Sequence, residues 1–291
     1  METPRKKKGT IPDFLERKRS GRRITMVTAY DYAFASLVDS VDIDMILVGD
    51  SGAMTTLGYK NTVPVTMVEM LIMARAVSIG AQNTFLVGDM PFLSYEVSVE
   101  RAVENAGRFL KEAGMDSVKL EGGRRTAPAV QAIVRAGMPV MGHIGLTPQS
   151  ASQLGGFRVQ GKTMDSAQAV VEDALALQEA GVFAIVVEAV PAPVGKMITE
   201  AVGVPTIGIG AGPDCDGQVL VLHDMLGLFE RFVPKFVKRY ANLGAACRES
   251  LAQFAVEVRE GAFPASEHCY PMDAEQAREL REGLVRAGLL R

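Results

Sequence analysis

Val118-Lys119-Leu120-Glu121-Gly122 reads as a short strand that places two charges beside an apolar core. Side chains alternate along a strand, so Val118 and Leu120 share one face while Lys119 and Glu121 share the other, inward one. Burying a lysine and a glutamate is costly unless something compensates them. Taken alone, a salt-bridged pair at a solvated strand end explains the pattern equally well. Two earlier apolar runs, Leu47-Val48-Gly49-Asp50-Ser51 and Leu86-Val87-Gly88-Asp89-Met90, also end in a carboxylate. Successive strands thus deliver acids to one edge.

Working outward from that stretch, further strands are predicted at Arg23 to Ala29, Met45 to Asp50, Thr84 to Asp89, Pro139 to His143, Ala184 to Glu188 and Thr206 to Gly210. An eighth is placed at Phe232 to Val237, although Pro234 interrupts it. Helical stretches lie between them: Tyr32 to Val38, a helix opened by the capping-box pair Thr66 and Glu69, one capped by Ser98, and one opening near Asp165 and Gln168. Helices that end in Ala-Gly before an apolar strand recur at Ala113-Gly114, Ala136-Gly137 and Ala180-Gly181. This alternation predicts an α/β fold, a (β/α)8 TIM barrel with a short N-terminal helix (Thr10 to Lys18) and extra C-terminal helices (Leu243 to Arg259 and Asp273 to Leu284). Residues 1–9 are expected to be a disordered basic tail, 10–262 the barrel, and 263–291 a C-terminal extension that packs on the barrel or on a neighbouring subunit.

The chain of 291 residues carries 48% hydrophobic and 22% charged residues, ordinary for a soluble globular enzyme. A net charge of −3 gives no reason to expect nucleic acid as a partner. Arg5-Lys6-Lys7-Lys8 reads as a solvated tail. The widely spaced Cys215, Cys247 and Cys269 form no CxxC pair and suit a reducing cytoplasm. No apolar run approaches the roughly 18 residues of a membrane span, and no signal-peptide core opens the chain.

In a parallel barrel the ligand sits at the carboxyl ends of the strands. Asp50, Asp89, Glu121, His143 and Glu188 all fall there. Three close acids with no counter-charge raise one another's pKa, which a divalent cation relieves. All-oxygen ligation favours Mg²⁺ or Mn²⁺ over zinc. Asp50 and Asp89 are the better direct ligands, with Glu121 acting partly through water. Such a metal beside Lys119 suits a 2-oxo acid, whose chelated carbonyl would be polarised and whose enolate would be stabilised. Glu188, arriving across the mouth after Ile185-Val186-Val187, is the candidate general base.

The motifs TMVTAYD (Thr25 to Asp31), LVGDS (Leu47 to Ser51) with Leu57-Gly58-Tyr59, Gly88 to Phe92, Val118 to Gly122, GHIGLTP (Gly142 to Pro148), Gly155-Gly156-Phe157, Val187-Glu188 and IGIGAG (Ile207 to Gly212) together resemble the ketopantoate hydroxymethyltransferase family. The resemblance runs from near the N-terminus to about Pro271. It implies transfer of a one-carbon unit from 5,10-methylenetetrahydrofolate, the co-substrate, to 3-methyl-2-oxobutanoate, giving 2-dehydropantoate for pantothenate and coenzyme A synthesis. It also implies one Mg²⁺ per subunit on Asp50, Asp89 and Glu121. The oxo acid would contact Asp50, Ser51, Asp89 and Lys119, with Glu188 as the proton acceptor. Cytoplasmic homodecamers are what the resemblance implies for assembly and location.

Other features carry competing readings. His143 either hydrogen-bonds substrate or a site acid, or is structural, while His223 and His268 read as structural. The loop Thr147 to Gly161 is long enough to be a lid. Gly208-Ile209-Gly210-Ala211-Gly212 is a weak dinucleotide motif, better explained by close approach of backbone to folate or substrate. Met67, Met70 and Met73 read as helix core. Two rival classes stand beside the transferase. A folate-independent oxo-acid lyase on the same barrel typically uses a Lys-Cys-Gly-His motif, which this chain lacks. A non-catalytic binding protein has no use for clustered carboxylates under a long loop.

Overall fold

The computed structural model describes residues 7–151 and 155–291. Its centre is a closed barrel of eight parallel strands in sequential order: β1 (Ile24–Thr28), β2 (Met45–Val48), β3 (Phe85–Asp89), β4 (Ser117–Glu121), β5 (Val140–Gly145), β6 (Ala184–Glu188), β7 (Thr206–Ile209) and β8 (Gly217–Leu220). Strand β1 pairs with both β2 and β8, which seals the ring. The expected fold class is therefore the observed one.

The eighth strand differs from the expectation. Phe232 to Val237 is irregular, as Pro234 demands, and Gly217–Leu220 closes the barrel instead. A four-residue strand with glycine and glutamine in it has almost no periodic signal. Gly217 is required at the seam, because a Cβ there would stand 2.5 Å from the Ile24 carbonyl oxygen.

The helices of this part are α1 (Ile11–Ser20), α2 (Tyr32–Asp39), α3 (Gly52–Thr55), α4 (Met67–Gly80), α5 (Val99–Ala113), α6 (Ala127–Arg135), α7 (Met164–Glu179), α8 (Ala192–Ala201) and α9 (Leu222–Met225). The Thr66 and Glu69 capping box is formed: Glu69 N donates to Thr66 Oγ1 at 3.2 Å, and Thr66 N donates to Glu69 Oε2 at 2.7 Å. Helix α7 is capped earlier than expected, by Thr163 rather than Asp165. Two apolar layers result. One fills the space between strands and helices and includes the buried Met70 and Met73 of α4. The other fills the barrel itself, with Met26, Met45, Leu47, Val87, Met141 and Ile207 among its members.

Helix α1 plugs the amino end of the barrel. Its Phe14 is fully buried and stacks edge-on against Phe85, with ring centroids 5.3 Å apart, and Phe85 in turn meets Phe183 at 5.6 Å. Around this plug, the residues preceding β2, β4 and β8 are aspartates. Each accepts a backbone N–H from the preceding strand or its entry: Asp44 from Thr25 at 2.9 Å, Asp116 from Leu86 at 2.8 Å and Asp216 from Thr206 at 2.9 Å. Each also meets a cation from the start of the chain, Arg17 on Asp44 at 2.6 Å, Lys8 on Asp116 at 2.7 Å and Lys18 on Asp216 at 2.8 Å. Lys8 was expected in a solvated tail; the rest of that tail, Met1 to Lys6, lies outside the described residues.

The chain divides at Ala241 and Asn242 into two compact units, so the helix α10 (Leu243–Glu260) groups with the C-terminal part. That unit also contains α11 (Ala274–Arg286) and a Phe254–Phe263 ring contact at 5.7 Å. Neither of its helices has a buried residue, and Leu251, Phe254 and Val258 of α10 are exposed.

Candidate active site

One cleft opens at the carboxyl end of the barrel, and Asp50, Ser51, Asp89, Lys119, Glu121, His143 and Glu188 all line it. Asp50 follows the end of β2, Asp89 ends β3, Lys119 and Glu121 lie on β4, His143 on β5, and Glu188 ends β6. The alternation read from Val118 to Gly122 is thus realised, with Lys119 only 3% and Glu121 only 1% exposed. Every site residue expected from the sequence stands on this one wall.

These side chains form a connected network. Lys119 Nζ lies 2.8 Å from Asp89 Oδ1, 3.9 Å from Glu121 Oε1 and 3.1 Å from His143 Nδ1. His143 also bridges two acids: its Nδ1 is 3.3 Å from Glu121 Oε1 and its Nε2 is 3.2 Å from Glu188 Oε2. Asp50 N donates to Asp89 Oδ2 at 3.1 Å, which sets the two aspartates side by side. Ser51 shares a hydrogen bond of 2.8 Å with the buried Tyr30 hydroxyl.

The charges explain the acidities. Burial, then the repulsion of Asp89 and Glu121, pushes the Asp50 carboxyl up to about 8. Burial raises Asp89 as well, against the pull of Lys119. Burial would raise Glu121 too, but His143 and Lys119 outweigh it and hold this acid below its usual range. Burial and the Lys119 ammonium oppose charge on His143, yet Glu121 and Glu188 push it up to about 9. Burial likewise opposes charge on Lys119, and Asp89, Glu121 and Asp50 reverse it, so the ammonium persists at any ordinary pH. Four carboxylates share two cations, Lys119 and His143, and Asp50 is the acid driven hardest toward taking up a proton.

The backbone is held tightly beside Glu188. Ala189, directly after it, has φ of +46°, a left-handed conformation that costs a non-glycine residue roughly 1–2 kcal/mol. It is locked by Ala189 N donating to Ile209 O at 2.8 Å and by Gln160 N donating to Ala189 O at 2.9 Å.

Could the donor set hold a metal? Among the described residues, no group of three His, Cys, Asp or Glu is gathered closely enough to hold an ion by itself. Mg²⁺, however, is commonly held by one or two carboxylates, its remaining positions filled by water and substrate oxygens. Asp89 Oδ1 and Glu121 Oε1 are buried and are met by cations, Lys119 at 2.8 Å and His143 at 3.3 Å. Adjacent aspartates, two buried oxygens held only through ion pairs and an acid driven to protonate are the donor chemistry a hard cation suits.

Sequence similarity adds the identity. A family model described as ketopantoate hydroxymethyltransferase matches residues 8–266. The chain belongs to the ketopantoate hydroxymethyltransferase family. It is 59% identical over 269 residues to the 3-methyl-2-oxobutanoate hydroxymethyltransferase of Heliobacterium modesticaldum, covering 92% of this chain and 98% of the relative. The enzyme of the same name from Moorella thermoacetica is 59% identical over 261 residues, covering 90% and 97%. Among solved structures, phosphonopyruvate hydrolase in complex with oxalate and Mg²⁺ superposes with a TM-score of 0.59 at 15% identity, covering 95% of this chain and 96% of that one. The 2,3-dimethylmalate lyase, a member of the PEP mutase and isocitrate lyase superfamily, gives 0.56 at 11% identity, covering 94% and 98%. At that identity the likeness speaks to the fold alone. Membership of the ketopantoate hydroxymethyltransferase family makes the chain a transferase and leaves the lyase reading with less support.

In this family member the loop after β5 enters the site through a residue that sequence reading passed over. Gln149 N donates to Glu121 Oε2 at 3.0 Å, and its amide Nε2 donates to Asp50 Oδ2 and Met90 O, each at 3.0 Å. Tyr95 donates to Gln149 Oε1 at 2.6 Å. Gln149 directly follows the GHIGLTP motif, which ends at Pro148, and an isolated buried glutamine has no periodicity to betray it. Pro148 and Phe157 of the same loop line the cleft. The glycines of the IGIGAG motif need a different account from the one expected. A Cβ on Gly210 would meet the Phe236 ring at 2.5 Å, and one on Gly212 would meet Ala192 at the same distance, so both make room for the protein's own side chains.

Proposed function

We propose that this chain transfers a hydroxymethyl group from 5,10-methylenetetrahydrofolate to 3-methyl-2-oxobutanoate, forming 2-dehydropantoate and tetrahydrofolate for pantothenate synthesis. What carries this reading is the pairing of Glu188 and His143 at 3.2 Å across from the adjacent Asp50 and Asp89. Asp50 and Asp89 would hold Mg²⁺ directly, with Glu121 in support through water. When bound, the ion would polarise the keto group and make the hydrogen on C3 acidic. Lys119 balances the substrate carboxylate, and Asp50, Ser51, Asp89 and His143 complete its seat. Glu188 takes the C3 proton, while His143 Nε2 holds that carboxylate in one orientation and Ala189 fixes the backbone behind it. One of the two carrier nitrogens, taking up a proton, releases the methylene carbon and leaves it electrophilic, and the C3 carbanion bonds to it; water then breaks the second carbon–nitrogen bond, supplying the product hydroxyl and returning a hydrogen to that nitrogen as tetrahydrofolate leaves. Glu121 on the other ring nitrogen keeps His143 charged, so the proton has a stable partner nearby.

Deuterium exchange at C3 of the oxo acid in D₂O tests the reading, with Mg²⁺ or chelator and with or without the folate. Metal-dependent exchange, lost in Glu188→Gln, together with hydroxymethyl product only when the folate is added, is the expected result. Exchange with no folate-dependent product would favour the lyase-type reading, and no exchange at all in a folded protein would sink both. We further infer a cytoplasmic homo-oligomer, decameric by the family pattern, to which the exposed apolar residues of α10 would contribute. No helix among the described residues is long and apolar enough to cross a membrane.

A further inference from the structure

The cleft has two unlike arcs. Strands β2 to β6 and the residues that directly follow them contribute all of the catalytic charge described above, while β7, β8 and the segment after β8 contribute Ile209, Val219, Val221, Phe229, Phe232 and Phe236. Nothing in the proposed chemistry uses this second arc. It is nevertheless built for something flat and apolar, since Phe232 stands 62% exposed at its rim and Phe157 52% exposed in the loop that also lines the cleft.

One ionisable group lies on this arc among the described lining residues, and it is Asp224 of α9. It is 7% exposed, and its Oδ1 has no hydrogen-bond partner among the described residues. Burial pushes its carboxyl up to about 6, with Arg239 pulling the other way, so the group is mostly ionised at neutral pH. A buried carboxylate oxygen that no donor among the described residues meets is costly once the group is ionised, and calls for a specific explanation. Tyr30, its buried neighbour, is already engaged with Ser51 and is kept neutral. Because Asp224 lines the cleft, a ligand bound there is in place to supply that donor.

We propose that this arc seats the pteridine ring of the one-carbon carrier, with Asp224 accepting from the ring N3–H and the 2-amino group while the phenylalanines cover the ring faces. The assignment rests on the reading of the carrier as a reduced folate. A 2-amino-4-oxopyrimidine edge presents two parallel N–H donors, as a guanidinium does, and a carboxylate answers them with two acceptors. The flat ring system stacks on phenylalanine faces at little entropic cost.

Steady-state kinetics and calorimetry of the full chain test this, using 5,10-methylenetetrahydrofolate, tetrahydrofolate and 2-desamino-tetrahydrofolate as probes. In Asp224→Asn, where an amide N–H faces a ring N–H, the KM for the carrier should rise at least roughly tenfold and the KM for the oxo acid less than about twofold. Wild-type protein should bind tetrahydrofolate at least roughly tenfold more tightly than its 2-desamino analogue, and the variant should lose that preference. A folded variant with carrier KM within about threefold of wild type, or wild-type protein indifferent to the 2-amino group, overturns the assignment. The analogue comparison uses only wild-type protein, so it stands even where the variant does not fold. If wild-type protein exchanges the C3 hydrogen but binds neither folate, the carrier reading itself has failed and takes this assignment with it.

Discussion

Both ends of the barrel are ringed with acids, and the two rings obey opposite rules. At the amino end Asp44, Asp116 and Asp216 each hold a backbone N–H and a cation. Asp39 there accepts from Gln82 N, Asn83 N, the Asn83 amide and the Thr84 hydroxyl. At the carboxyl end Asp89 and Glu121 share Lys119 and His143 with the other acids of the cluster, and Asp50 is driven to protonate. Acids matched one to one with cations hold strands in register, whereas acids in excess of their cations store an affinity that a ligand can claim. The difference lies in how the charge is matched: each of these three aspartates at the amino end has its own cation, while at the mouth Asp50, Asp89, Glu121 and Glu188 share Lys119 and His143.

Substitutions at the two ends should separate activity from stability. Glu188→Gln should lower turnover by roughly 10²–10⁴-fold with the thermal midpoint almost unmoved, measured by C3 exchange beside calorimetry. A loss of stability of several kcal/mol there would show that the upper ring is structural after all. Asp216→Ala should do the reverse. It removes the counter-charge of Lys18 and the acceptor of the Thr206 N–H, and should cost about 3 kcal/mol in urea unfolding while kcat holds.

The pH dependence of stability should also change sign between the ends. Asp50 and His143 are raised to about 8 and about 9, so the folded protein binds these protons more tightly than the unfolded chain does. Their contribution is present at low pH and is lost as pH rises from about 4 through 9. Metal-free protein should therefore melt roughly 5 °C or more lower at pH 9 than at pH 5, with Mg²⁺ flattening the slope and Asp50→Asn removing part of it. At the other end Asp39 is lowered, because Thr84, Asn83 and Gln82 hold its charge against burial. Its contribution is present above the unfolded value of 3.8 and falls away only in acid below that. A metal-free midpoint that rises with pH between 5 and 9 would contradict this division. The smallest effect is expected at the rim of the lower ring. Lys8 and Asp116 are about one-third exposed, and Lys8→Met should cost under about 1 kcal/mol, since Asp116 keeps the Leu86 N–H.

Much of the upper ring was legible in the sequence, because an acid after an apolar run has both a period and an address. Asp50, Asp89, Glu121 and Glu188 each close such a run, and the barrel puts them together. The lower ring was not legible, since Asp44, Asp116 and Asp216 precede their strands, where polar residues draw no notice. Gln149 and Asp224 escaped for another reason: they sit on short helical turns whose direction only the closed barrel defines. Strand β8 escaped because its four residues carry a glycine for close packing and a glutamine, and Phe232 to Val237 offered the stronger apolar signal.

The Lys18–Asp216 pair joins residues 198 positions apart, and Phe14 of the same helix is fully buried. A ribosome adding about 5–20 residues each second needs roughly 10–40 s to cover that interval. For that time α1 has no barrel floor to plug, and its phenylalanine stays exposed to solvent. The growing chain therefore carries this one apolar side chain unburied until β8 is made.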